Sequence, residues 1–152
     1  MAVGGWLAFF IAALLAIGPI ITIPSLLREF HLLEARSALS EGRFLVIAFD
    51  FAATIFLRLF GVYAGVKLWK LAPRAVHIAK RYLLSCGVYW TGVLSLTTAT
   101  SVMGLISGAE AWRHVEHTAL GLFSVALWYS YFEMSDRVAA TYPHSQVTAK
   151  PS

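Results

Sequence analysis

Charge is what this sequence has least of. Charged residues make up 13% of the 152-residue chain, about half their share in an average soluble domain. The hydrophobic fraction is 59% and the mean hydropathy is +0.70. A soluble fold of this length leaves roughly 30% of its unfolded surface wetted, and these few charges, gathered in short stretches, do not cover that area. The composition excludes a soluble globular enzyme and a disordered tail. Cysteine is almost absent too. Cys86 stands alone in an apolar run, which rules out an intramolecular disulfide and suits a small packing residue. The chain also has no P-loop, no His-Glu-x-x-His, no Gly-x-Ser-x-Gly, no Cys-x-x-Cys-His and no long polar loop on which to build a soluble site. No catalytic activity is expected.

What remains is an integral membrane chain. Apolar runs predict helices that cross a hydrocarbon core of about 30 Å, over about 6–27, 44–71, 82–107 and 118–134. The first has no basic residue ahead of it in Met1–Gly5, so it reads as a retained span rather than a signal peptide. Pro19 and Pro24 are expected to kink or end it. Residues 28–43 alternate in charge and carry Phe30 and Leu33 at helical spacing, which predicts a short helix lying at the interface. Pro73 stops the second span. Ala109–Val115 reads either as a polar connection or as the last helix's first turns, and a polar tail occupies 135–152. The expected fold is an all-α, four-helix membrane bundle in a single domain.

The excess of positive charge sits between the apolar runs, which points to orientation and anionic lipid rather than to nucleic acid. With both termini inside, the cytoplasm receives Lys67, Lys70, Arg74, Lys80, Arg81, Arg137 and Lys150. The opposite side receives Arg28, Arg36, Arg43 and Arg113. The basic cluster at 67–81 therefore predicts cytoplasmic termini, and His77 within it suits a lipid phosphate.

Three short patterns resemble one family. The first is the Gly4, Gly5, Trp6, Leu7 entry to the first helix, followed by Gly18, Pro19 and Pro24 near its exit. The second is the basic turn with Lys67, Lys70, Pro73 and Arg74. The third is the closing run of Tyr131, Phe132, Ser135, Arg137, Val138 and Thr141. In these the chain resembles the small bacterial inner-membrane proteins grouped as domain of unknown function 2569. It departs from them at Asp136, where the family is usually basic, and in the heavier charge of its first loop. The resemblance implies a four-helix fold in the bacterial inner membrane and no activity.

Several residues are candidates for a site. Glu110, His114 and His117 share one helical face and offer ligands for a metal, while either imidazole alone suits haem or chlorophyll. An interfacial polar turn explains them more simply, and no cofactor is expected. Gly61 with Gly65, and Gly104 with Gly108, have the small-residue spacing that lets helices pack closely. The hydroxyls of Ser85, Thr91, Ser95, Thr97, Thr98, Thr100 and Ser101 either line a polar path or bond back to their own helix or across to a neighbour. Trp6, Trp69 and Trp112 fall at expected interfaces, whereas Trp90 and Trp128 lie deeper. Asp50 and Arg58 are the charges well inside a span, about 12 Å apart along the helix axis with Thr54 between them. They suit an intrabundle polar bridge or a subunit contact. Tyr131, Ser135, Arg137 and Thr141 suit a tail contact with lipid or partner. The expected function is a non-catalytic accessory or structural subunit of a membrane complex. The alternatives are a cofactor carrier using His114 or His117, and a small transporter.

Overall fold

Long apolar runs with few breakers let the backbone satisfy its own polar groups by coiling. The computed structural model describes residues 5–34, 41–104 and 107–142, and among these it contains helices and no strands. The first rod comprises α1 (Trp6–Ala12), a π-helical turn over Ala13–Ile17, and α2 (Gly18–Glu34). After it come α3 (Glu41–Trp69), α4 (Ala75–Val102), α5 (Gly108–Met134) and the short α6 (Asp136–Thr141).

Neither proline ends the first rod. A proline inside a helix lacks its N–H, and its ring crowds the carbonyl four residues back. The π turn lies directly before Pro19 and widens the coil there, with the Gly18 N–H bonding to the Ala13 carbonyl. The Thr22 hydroxyl donates to the Gly18 carbonyl at 2.7 Å. With the prolines absorbed, no breaker stands between Pro24 and Glu34. The separate interfacial helix expected over 28–43 is therefore not formed: Arg28–Glu34 continues α2, residues 35–40 lie outside the described residues, and α3 begins at Glu41.

The turn after α3 closes in a Schellman arrangement. The Ala72 N–H bonds to the Lys67 carbonyl at 3.0 Å and the Leu71 N–H to the Leu68 carbonyl at 3.1 Å. That geometry puts Leu71 in the left-handed region at φ 51°, a conformation glycine usually supplies. Pro73 follows, and α4 starts at Ala75, seven residues before the expected span. At its other end α4 stops at Val102, where Gly104 adopts φ +70°. The Gly104 and Gly108 pair is thus not a helical packing motif. Gly104 lies past the end of α4 and Gly108 opens α5, and a Cβ at either position would meet nothing within 4 Å. α5 runs from Gly108, so Ala109–Val115 are its first turns.

The helices pack antiparallel to their sequence neighbours. Gly65 lies against Leu15 and Gly18 against Arg58, while Gly121 meets Trp90 and Gly87 meets Val125. Burial is concentrated at one end of the bundle. Leu7, Phe10 and Ile11 of α1 join Ala64 and Leu68 of α3, Ala75, Val76, Ala79, Tyr82 and Leu83 of α4, and Phe132, Val138 and Tyr142 in a single core. Away from that end the buried residues are hydroxyl-bearing: Thr22, Thr97 and Thr118.

Two helices among the described residues, Trp6–His31 and Phe44–Trp69, are long and apolar enough to cross a membrane. Only 22% and 6% of their most apolar stretches are buried within the protein, so their greasy surfaces face outward. α4 is more polar by composition, but five of its hydroxyls are satisfied within the helix. Ser85, Thr91, Ser95, Thr98 and Thr100 each donate to the carbonyl four residues back at 2.8–3.0 Å.

Candidate functional site

Of the two charges inside the second apolar run, Asp50 finds its partner on α4. The Tyr89 hydroxyl donates to Asp50 Oδ1 at 2.6 Å, and Thr54 also reaches that hydroxyl. Because α2 and α3 run antiparallel, Glu29 comes close enough for its charge to act on Asp50. Its Oε2 atom is buried and has no hydrogen-bond partner among the described residues. Two carboxylates, a phenol and a threonine from three helices therefore share one polar layer.

Arg58 belongs to a different neighbourhood. It is exposed, and its guanidinium reaches back across the first rod. A Cβ at Gly18 would sit 3.0 Å from Arg58 Nη1 and 3.0 Å from the Ala13 carbonyl oxygen. The missing side chain at Gly18 makes room for the cation beside the π turn. Tyr82 and Cys86 of α4 also lie within reach of its charge. Among the described residues no carboxylate forms an ion pair with Arg58, and Asp50 is engaged elsewhere.

Gly61 and Gly65 take part in packing within the chain. The Tyr82 ring lies 3.1 Å from where a Gly61 Cβ would be, and Leu14 and Leu15 approach Gly65 as closely. His114 and His117 are both exposed, and the His117 ring sits edge-on to Trp90 at 5.5 Å. The Glu110 side chain lies outside the described residues. Among the described residues no three His, Cys, Asp or Glu side chains converge as a metal site would need. Trp128 is a packing residue, with its ring centroid 4.5 Å from that of Phe10.

The tail turns back onto the bundle. Ser135 caps α6, accepting from the Val138 N–H. Val138 is buried, while Tyr131 and Thr141 are half-buried. The Tyr142 hydroxyl donates to the Leu68 carbonyl at 2.7 Å, adding a second donor to the one that the Leu71 N–H supplies in the closing turn of α3. Burial pushes the Tyr142 phenol up to about 12, so it stays a neutral donor at physiological pH. Arg137 is exposed, and its guanidinium lies against Gly5, where a Cβ would come within 2.7 Å of Nη1. Gly5 has φ +65°, so both its conformation and its bareness are used.

A family model described as "Protein of unknown function (DUF2569)" matches residues 1–143. The chain belongs to the DUF2569 family. No curated protein and no solved structure matches it. In this DUF2569 chain parts of the three patterns that carried the resemblance, far apart in sequence, meet at one end of the bundle, whereas Gly18, Pro19 and Pro24 lie farther along the first rod. Gly5 touches Arg137, and Tyr142, directly after the tail pattern, bonds to Leu68 in the basic-turn segment. The sequence reading missed Tyr142, Tyr89 and the approach of Glu29 to Asp50. Tyr142 had a signal, since Val138 and Tyr142 are one helical turn apart in a tail otherwise read as polar.

Proposed function

We propose that this protein is a four-helix integral membrane protein of the bacterial inner membrane. In this reading its spans are the first rod, α3, α4 and α5, and it serves as a non-catalytic accessory or structural subunit of a larger membrane complex. The observation that carries the reading is Arg58. It lies close to the midpoint of the apolar stretch Phe44–Trp69, exposed between the outward-facing Phe56 and Leu59. A cation at that depth costs roughly 2.5–3.5 kcal/mol on insertion scales and normally faces protein or water. Among the described residues no carboxylate forms an ion pair with it, which favours a carboxylate on a neighbouring subunit. The intrahelical hydroxyl bonds of α4 support its place in the membrane, because they spend polar groups that lipid does not satisfy.

The test is Arg58→Leu, purified in mild detergent with mass spectrometry of the subunits that accompany it. Partner recovery is expected to fall roughly tenfold, about the loss of one charged contact, while the melting temperature of the isolated bundle stays at the wild-type value. A destabilised bundle that keeps its partners would reassign Arg58 to internal packing.

Orientation is tested separately. In intact cells, with Cys86 replaced, single cysteines in the 67–81 loop should resist an impermeant thiol reagent, and cysteines near 107 should react. Labelling of the 67–81 loop from outside would invert the arrangement.

A further inference from the structure

Between α4 and α5 an open-sided groove of about 360 Å³ is lined by Leu84, Gly87, Val88, Thr91 and Val125. Its walls are hydrocarbon, because the Thr91 hydroxyl is spent on the Gly87 carbonyl at 2.8 Å. Gly87 makes the hollow: Val125 stands 3.6 Å from where its Cβ would be. Leu84 and Val88 are 54% and 75% exposed, so nothing among the described residues covers this face.

The groove has a charged mouth. His77, Arg81, Leu84 and Val88 follow one another at helical spacing on α4, so the stripe is cationic at its loop end and apolar beneath. Arg81 is exposed and has no ion-pair partner among the described residues. Lys80 on the adjoining face bonds to Glu133 of α5 at 2.8 Å and lies over the Tyr129 ring. Glu133 thus neutralises Lys80 and leaves the Arg81 guanidinium as the charge on offer. From Arg81 to Thr91 is about 15 Å along the helix, which spans the step from a headgroup plane into acyl chains.

The geometry points to a bound anionic phospholipid, its phosphate on Arg81 with His77 beside it and one acyl chain in the groove over Gly87. A cation directly above a hydrocarbon slot matches the two ends of such a molecule. A partner helix would need no charge at that place, and a free phosphate would need no groove. The inference rests on the membrane-embedded reading above, with the 67–81 loop at an interface.

Native mass spectrometry of the detergent-solubilised full chain, titrated with phosphatidylglycerol or phosphatidylcholine, tests it. The wild type should retain phosphatidylglycerol roughly tenfold better. Arg81→Gln should abolish that preference while still taking up both lipids. Gly87→Leu, which fills the hollow, should weaken both, and Arg113→Gln at the opposite end should change neither. Equal retention of the two lipids by the wild type, or an undiminished preference in Arg81→Gln, would overturn the site. So would a Gly87→Leu chain that keeps its lipid but loses self-association, since the groove would then seat a second copy. A chain that stays in solution without detergent would instead overturn the membrane reading itself, so the two failures are distinguishable.

Discussion

Phe132→Ala is expected to remove about 3–5 kcal/mol of stability, the usual cost of truncating a fully buried phenylalanine. Phe132 is 1% exposed and sits where the first rod, the end of α5 and the returning tail meet. Its ring packs edge-on against Phe10 at 5.1 Å and against Tyr131 at 6.0 Å. Removing it opens a cavity under Val138 and Tyr142, the residues by which the tail docks. The loss is a large share of the roughly 5–15 kcal/mol that holds a domain folded. Unfolding by denaturing detergent, followed by helical circular dichroism, measures it. Phe123→Ala is the matched control, because Phe123 lies on the same helix but is 66% exposed. It should cost less than about 1 kcal/mol, and an equal loss at both positions would mean that the core does not sit at this end.

The helices were legible because their cause is local. Apolar runs and Pro73 bound α3, and the absence of any breaker from Ala75 onward carries α4 through residues that read as a basic loop. The π turn was not legible, because Pro19 alone announces a break and only the surrounding coil decides to widen instead. The Schellman turn was hidden for a similar reason. It places Leu71 where the sequence shows no glycine, so the turn is set by the helix ends and by Pro73 rather than by the residue's own preference. Gly104 misled in the opposite sense: a spacing of four from Gly108 suits a helix face, yet a glycine at the end of a hydroxyl-rich helix equally suits a left-handed stop.

The site was legible only one helix at a time. Asp50 and Arg58 announce themselves as charges in an apolar run, and their separation along α3 follows from the helix rise. Which residues meet them depends on the register between helices, and no spacing within α3 encodes it. Tyr89 reaches Asp50, Gly18 yields to Arg58, and Glu29 arrives from the first rod because α2 and α3 run antiparallel with Leu15 against Gly65. The same holds for the tail. Arg137 was legible as an interfacial cation, but its position against Gly5 follows from where the two chain ends fold.

That interhelix register predicts opposite outcomes for two glycines on the same helix pair. Gly121 of α5 lies under the Trp90 indole, and a Cβ there would come within 2.6 Å of its Cε2 atom. Trp90 has little room to retreat, since Tyr89 and His117 flank it with ring centroids at 5.3 and 5.5 Å. Gly121→Leu should therefore force α4 and α5 apart and cost about 3 kcal/mol, the upper end of ordinary overpacking. It should also disturb Asp50, whose donor Tyr89 moves with its neighbour. Gly87 of α4 faces Val125 across an ordinary 3.6 Å. Gly87→Ala should be neutral or should stabilise by roughly 0.5–1 kcal/mol, because alanine is the better helix former. Parallel unfolding of both variants, with tryptophan fluorescence reporting on the indole at position 90 in a chain whose other tryptophans are replaced by phenylalanine, decides the matter. If both substitutions shift stability in the same direction, Trp90 does not seat on Gly121 and the register between α4 and α5 is wrong.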